Sequence, residues 1–320
     1  MGLICKLKTK INFNKLQNYE KNYLCFSTVE VFDSVVSEIW NMDEEKYSTW
    51  IKQFENFQSA KELLDIAENE LMNIKVQEEF ISFKQKYKDN FSISEEGEID
   101  YRFYTTSYAP ILNIHGMIKI EGVLYKFGSK KEIIVNSGKI EDLYKYEKGI
   151  DLETGVIRIF DPKPKLDKYL KGGSTGDLWG VIYKDDYPHE NRKLYVSLEL
   201  ISLGGPVMNS SSQILYYEVG YRLNFHAHQR KKTMFGWIKH KTRFDWWDGF
   251  YKLTYYQEGY HRDGIEGSKE CKNLDLMLSS VLYESSTWVL NPPRPHIHRL
   301  KLIISSRGID TNYIFVDHRE

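Results

Sequence analysis

The sequence predicts an α+β protein: an N-terminal helical layer with a small antiparallel sheet, then a C-terminal antiparallel β-sandwich of immunoglobulin-like type. Three observations carry this. Apolar residues recur at helical spacing from Val31 to Tyr87, and they alternate at period two from Leu194 onward. Between these regions lies Gly116–Val135, where Ile118 and Ile120 alternate with Met117 and Lys119 until Glu121-Gly122 breaks the run. Leu124 to Phe127 then take it up again. Alternation split by a Gly-containing turn is the hairpin signal, and Ile133-Ile134-Val135 offers a third strand for a meander.

In chain order, residues 1–22 are Lys- and Asn-rich and read as a lead-in. Residues 23–150 read as the helical unit with its meander, 151–191 as an irregular connection, and 192–320 as the sandwich. Tyr23 to Phe26 is an apolar run suited to an edge strand. Ser27 with Glu30 forms a capping box for a helix from Thr28 to Asn41, and Asp43 caps a second helix bearing Tyr47, Trp50, Ile51 and Phe54. Ser59 with Glu62 opens a third, whose stripe Leu63, Leu64, Ile66, Ala67, Leu71, Ile74 continues after a kink through Phe80, Phe83 and Tyr87. Residues 89–115 read as loop, and Lys139 to Lys148 as a short helix stopped by Gly149. Within 151–191, strands are expected only at Gly155–Phe160 and Leu178–Tyr183.

From Arg192 the strands are plain. Leu194, Val196, Leu198 and Leu200 share a face, and Leu215 to Ala227 alternate over a long run. Further runs are Gly249–Tyr260, Leu276–Leu290, His296–Ser305 and Tyr313–Val316. Gly and Pro turns with no helical pattern between them point to the sandwich.

Bulk properties narrow the function. The chain has 320 residues, enough for two compact units, and a net charge of −1. That balance argues against a dedicated nucleic-acid or polybasic membrane binder. Tyr occurs 23 times, an excess that suits half-buried strands and wet recognition surfaces. Cys5, Cys25 and Cys271 are too scattered for a disulfide framework or a zinc knuckle, and leave one bridge open. No stretch has the run of about 20 apolar residues that crosses a bilayer. The first residues are too short and charged for a secretory signal. Leu3-Ile4-Cys5 resembles the end of a lipoprotein signal, but no apolar run precedes it and Ile4 is bulky where a small residue is wanted.

Several stretches carry candidate chemistry. His226-Ala-His228 is an HxH pair whose rings point the same way on a strand, as metal ligands do, and His296-Ile-His298 is another. Their parities disagree, with His226 and His228 opposite the apolar series and His298 on its face. The simpler reading is surface or strand-end histidines. Arg230 to Arg243 is basic with Trp237 interleaved, which fits phosphates with a stacked base. The plainer alternative is a solvated strand–loop–strand with Trp237 at the core edge, and nucleic acid is not expected. Phe244 to Tyr251 is the densest aromatic stretch. Indoles stack on sugar rings and carboxylates accept from hydroxyls, so Trp237, Asp245, Trp246, Trp247, Asp248 and Tyr251 form a candidate glycan platform, with one of the adjacent Trp residues expected in the core. Gly172 to Asp177 lacks the Lys of a phosphate loop, and no GxSxG elbow is present. Catalysis is therefore the minority reading, and no cofactor is expected.

Tyr23 to Asp33, Asp43 to Trp50, Phe54 to Ser59, Phe83 to Lys88, Gly116–Phe127 and Phe235 to Lys239 together resemble a group of uncharacterised proteins common in Bacteroidetes bacteria. The likeness is spread over residues 23–320. The resemblance implies an exported or lipid-anchored protein at the cell envelope and brings no catalytic residues with it. This chain departs in showing no leader, which keeps a cytoplasmic place as the alternative. The expectation is a non-enzymatic envelope protein that binds a glycan or another envelope protein. The alternatives are a hydrolase or metal-dependent enzyme with a non-local site, and an intracellular interaction module.

Overall fold

The computed structural model describes residues 23–54, 56–129, 131–160, 180–189, 191–203, 206–208, 214–255, 258–285 and 296–317. The lead-in with Leu3 to Cys5 lies outside these residues, as do the loops expected at 161–165 and 172–177. The chain is a mixed α+β protein with antiparallel sheets.

Four helices follow the first short strand, β1 (Cys25–Phe26): α1 (Val29–Asn41), α2 (Glu44–Ile51), α3 (Ala60–Asn73) and α4 (Gln77–Tyr87). Thr28, not Ser27, caps α1 by accepting from Val31 N at 3.2 Å, because Glu121 takes the Val29 N–H and fixes the start one residue later. Asp43 caps α2, and the Ser59/Glu62 box is reciprocal at 3.1 Å in each direction. The long third helix divides in two, since Ile74 leaves α3 in an extended conformation. That turn lets Phe80, Phe83 and Tyr87 fold back onto Leu64, Ala67 and Leu71 in one cluster.

The meander is present as β4 (Met117–Ile120), β5 (Val123–Phe127) and β6 (Glu132–Val135). Glu121 and Gly122 both have positive φ, 52° and 79°, as a two-residue turn joining twisted strands requires. The edge strand β1 adds in parallel beside β4, and β7 (Ile157–Phe160) completes the order β1-β4-β5-β6-β7. One face carries Ile118, Ile120 and Tyr125 against Phe32, Val36 and Tyr108. The other carries Leu124, Ile133 and Val135 against Leu143 of α5 (Ile140–Glu147). One expectation fails here. Residues 89–115 are not simply loop: they hold the hairpin β2 (Phe91–Ile93) and β3 (Ile99–Tyr101) and a 3₁₀ turn at Thr106–Tyr108. Three-residue strands are too short for alternation to show. Within 151–191 a strand forms at each of the two expected places: β7 belongs to the first sheet, and β8 (Gly180–His189), which runs on past Tyr183 through the Asp185-Asp186 pair, to the next.

The remaining strands are β9 (Arg192–Leu203), β10 (Pro206–Met208), β11 (Ile214–Lys232), β12 (Trp237–Lys239), β13 (Thr242–Tyr255), β14 (Glu258–Cys271), β15 (Asn273–Ser285), β16 (His296–Ser306) and β17 (Ile309–Asp317). The run Gly249–Tyr260 is thus two arms of a hairpin. One sheet is β8-β9-β11-β15, with β10 and β12 pairing opposite ends of β11. The other is β14-β13-β16-β17. Leu194, Val196 and Leu198 from β9 and Tyr221, Leu223, Phe225 and Ala227 from β11 share one core with Leu253, Tyr255, Leu300, Leu302 and Ile304. The immunoglobulin order would pair the first, second, fifth and fourth strands. Among the described strands, β8, β9, β11 and β15 share a sheet instead, with the short β10 and β12 at the ends of β11. Alternation sets which face of a strand is buried, whereas its neighbours are set by long-range pairing.

Candidate functional site

Strand β11 presents its apolar face to the core just described and the opposite face to the helical unit. Arg222, Asn224, His226, His228 and Arg230 alternate along that second face, and all are buried. Each meets a polar group. The Arg222 guanidinium contacts Asp33 of α1 and lies 5.0 Å over the Phe32 ring. Asn224 Nδ2 donates to Ser107 Oγ at 3.2 Å, and Arg230 donates to Asp100 Oδ1 at 2.6 Å and Ile99 O at 3.2 Å. Beside them Glu199 of β9 accepts from Thr106 N at 2.9 Å and Ser107 Oγ at 2.6 Å. Burial pushes the Glu199 carboxyl up, while His226 and the two hydroxyls pull against the shift. Burial pushes Arg222 down to about 9.

His226 and His228 are therefore neither surface nor strand-end residues. His226 Nδ1 lies 2.6 Å from Asp275 Oδ1, contributed by its cross-strand partner on β15, and its Nε2 lies 3.0 Å from His228 Nδ1. Tyr195 stacks on His228 at 4.5 Å between ring centroids. Asp275 and His228 thus flank the His226 ring, one at each nitrogen. His226 uses both ring nitrogens in this chain, which leaves it no lone pair for a metal. Among the described residues no group of three or more His, Cys, Asp or Glu side chains is placed to hold a metal ion. His298 lies in the other sheet, bonded to Thr254 Oγ1 at 2.7 Å. A register shift between Lys252 and Leu253 turns Ile297, not His298, into the core, which removes the parity expected for it.

The basic stretch is divided: Lys231, Lys232, Lys241 and Arg243 are exposed, whereas Arg230 and Lys239 are buried. Arg230 is paired as described. Lys239 is buried, its amine pushed down to about 8 by loss of solvent, and Trp237 is buried with Lys193 Nζ 4.4 Å over its ring. Trp237 N donates to Gly97 O at 3.2 Å, tying β12 to the β2–β3 hairpin. Cys25 and Cys271 are free thiols rather than a bridge, and burial pushes Cys271 up to about 12.

The aromatic stretch lies on β13 and divides between two faces. Trp246 packs against the core, over Gly267, where a Cβ would stand 2.4 Å from the indole. Tyr251 is also core. Asp245, Trp247 and Asp248 take the outer face, Asp245 bonded to Arg243 Nε at 3.0 Å and Asp248 paired with Lys301. Phe250, which the sequence reading left out, joins them beneath the Arg299 guanidinium, 5.1 Å from the ring. The cause is a bulge at Asp248-Gly249, with Asp248 at φ 51° and the register shifting on both sides of Gly249. One extra residue exchanges the faces of everything after it, so Tyr251 turns inward and Phe250 outward. The Asp-Gly pair was the available signal.

These features define a mixed α+β protein with a buried polar seam along β11 and a sheet face that carries two half-buried rings, Trp247 and Phe250. No family model and no curated relative matches the chain. Among solved structures, the crystal structure of a DUF4848 family protein from Bacteroides thetaiotaomicron VPI-5482 aligns over 93% of this chain and 97% of that one, at 16% identity and a TM-score of 0.30.

Proposed function

We propose that this chain is a non-enzymatic binding protein whose ligand surface is the outer face of β14-β13-β16-β17, with a glycan as the ligand class. The observation that carries this reading is Trp247 beside Phe250, two partly exposed rings on one sheet face, flanked by Asp245 and Asp248. Rings supply flat apolar area for a sugar face, and the adjacent carboxylates accept from hydroxyls. A place at the cell envelope is part of the proposal and rests on the sequence resemblance alone. The hydrolase or metal-enzyme alternative draws less support, because the His226–His228 pair is buried and both ring nitrogens of His226 are engaged within their own sheet, by Asp275 and His228.

Titration of the full chain against a glycan library tests the ligand class. Trp247→Ala is expected to weaken binding by at least about tenfold, the loss of one stacked ring, with the melting temperature unchanged. Binding that survives Trp247→Ala and Phe250→Ala together would remove this surface from consideration. Fractionation of the producing cell tests the envelope placement separately, and a wholly cytosolic pool would count against it.

A further inference from the structure

The β2–β3 hairpin has one edge that no described strand covers. Strand β2 pairs with β3 alone. Ser94 N donates to Glu98 O at 3.0 Å, so residues 94 and 98, and then 92 and 100, are the hydrogen-bonded pairs of this hairpin. Ile93 and Ile99 are accordingly a non-hydrogen-bonded pair. The Ile99 carbonyl agrees with this parity, since it turns away from β2 to accept from Arg230. By the same geometry the N–H and C=O of Ile93 point outward along the open edge.

Helix α4 forms the opposite wall. A groove of about 610 Å³ runs between them, lined by Ile81, Lys84, Lys88, Phe91, Ile93 and Arg102 among others. Its lining holds three cations and no carboxylate. Arg102 is held in place by the backbone carbonyls of Lys88 and Phe91 rather than by an acid. Lys84 reaches Glu95 at 3.0 Å, but that carboxylate is 96% exposed, so a ligand carboxylate can replace it at little cost. The apolar contribution comes from Ile81, which stands 59% exposed at the rim.

We propose that an extended, acidic peptide segment of a partner protein adds to β2 as a third strand in this groove. An uncovered strand edge supplies main-chain hydrogen bonds, and the pockets beside it select side chains. The three cations select acidic residues at alternate positions. They also disfavour a second copy of this chain at the same edge, since a symmetric pair would bring six cations together.

The test uses the full chain and two synthetic peptides, one alternating Glu with Val and the other Lys with Val, followed by fluorescence anisotropy. The Glu peptide is expected to bind, more weakly as salt is raised, and the Lys peptide is not. Lys84→Glu combined with Lys88→Glu is expected to weaken binding roughly tenfold or more. Ile93→Pro removes the outward N–H without breaking a bond to β3, and is expected to do the same. Matching thermal melts establish that both variants are folded, and neither Lys84, 28% exposed on α4, nor Lys88, exposed at its C-cap, lies in the core. Four results would overturn the proposal: no saturable binding, equal binding of both peptides, indifference to Ile93→Pro, or self-association of the chain that Ile93→Pro abolishes.

Discussion

At position 132 a carboxyl sits in a strand where alternation alone would place an apolar residue. Glu132 is 1% exposed, accepts from Tyr104 Oη at 2.9 Å, and has its carboxyl raised to about 8, mainly by loss of solvent, with Tyr104 and Arg158 opposing. The folded chain thus keeps this proton at neutral pH. Between the ordinary value of 4.5 and about 8 the unfolded chain ionises while the folded one does not. Stability from the neutral acid is therefore complete below the lower value and is lost as pH rises through the upper one. Glu132→Gln, neutral throughout, should gain on the parent across that window by at most about 1.4 kcal/mol per pH unit. Urea unfolding at several pH values checks this, and a pH-independent difference would refute the assignment. A buried neutral carboxyl of this kind was not legible from the sequence, where Glu132 follows two lysines and reads as part of a solvated turn. Asp248-Gly249 was legible, and its bulge explains why Tyr251 left the platform and Phe250 entered it.

Among the elements, α1 and β11 meet through the Arg222–Asp33 contact. The Arg222 side chain is 1% exposed and that of Asp33 is 29% exposed. Asp33→Ala leaves a buried guanidinium without its carboxylate and should cost about 3 kcal/mol. Arg222→Met in the Asp33→Ala background should recover much of that loss, because the uncompensated charge is gone and Phe32 still packs beneath. A double-mutant cycle with additive losses would show that the two groups are not coupled. Helices, caps and the meander were largely readable from local spacing, since each is fixed within a few residues of itself. Strand neighbours were not. Nothing in β11 says that β15 lies at its side, and its polar alternate face read as solvent-exposed because sequence records polarity and not what covers it.

Across the whole molecule, the seam joins the units through hydrogen bonds distant in sequence, such as Asn224 to Ser107, Glu199 to Thr106, and Lys239 N to Glu68 Oε1 at 3.0 Å. Lys272 adds an ion pair to Asp65 of α3 at 3.1 Å. Separating the units would leave these groups to be satisfied by water alone and would expose Ile201, which packs with the helical core. Thermal unfolding should therefore be a single transition, coincident by circular dichroism at helical wavelengths and by tryptophan fluorescence. Two resolved steps would show that the units are stable apart.

The polarity of the seam also bears on the order in which the chain is made. The helical unit leaves the ribosome before β9 and β11 exist, so its half of the seam, Asp33, Asp100, Thr106 and Ser107, must wait for partners made between about 90 and about 190 residues later, a delay of roughly 5–40 s. A docking face built of leucines would spend that interval as a site for aggregation. One built of carboxylates and hydroxyls is well hydrated while it waits, and sheds that water only when the second half arrives.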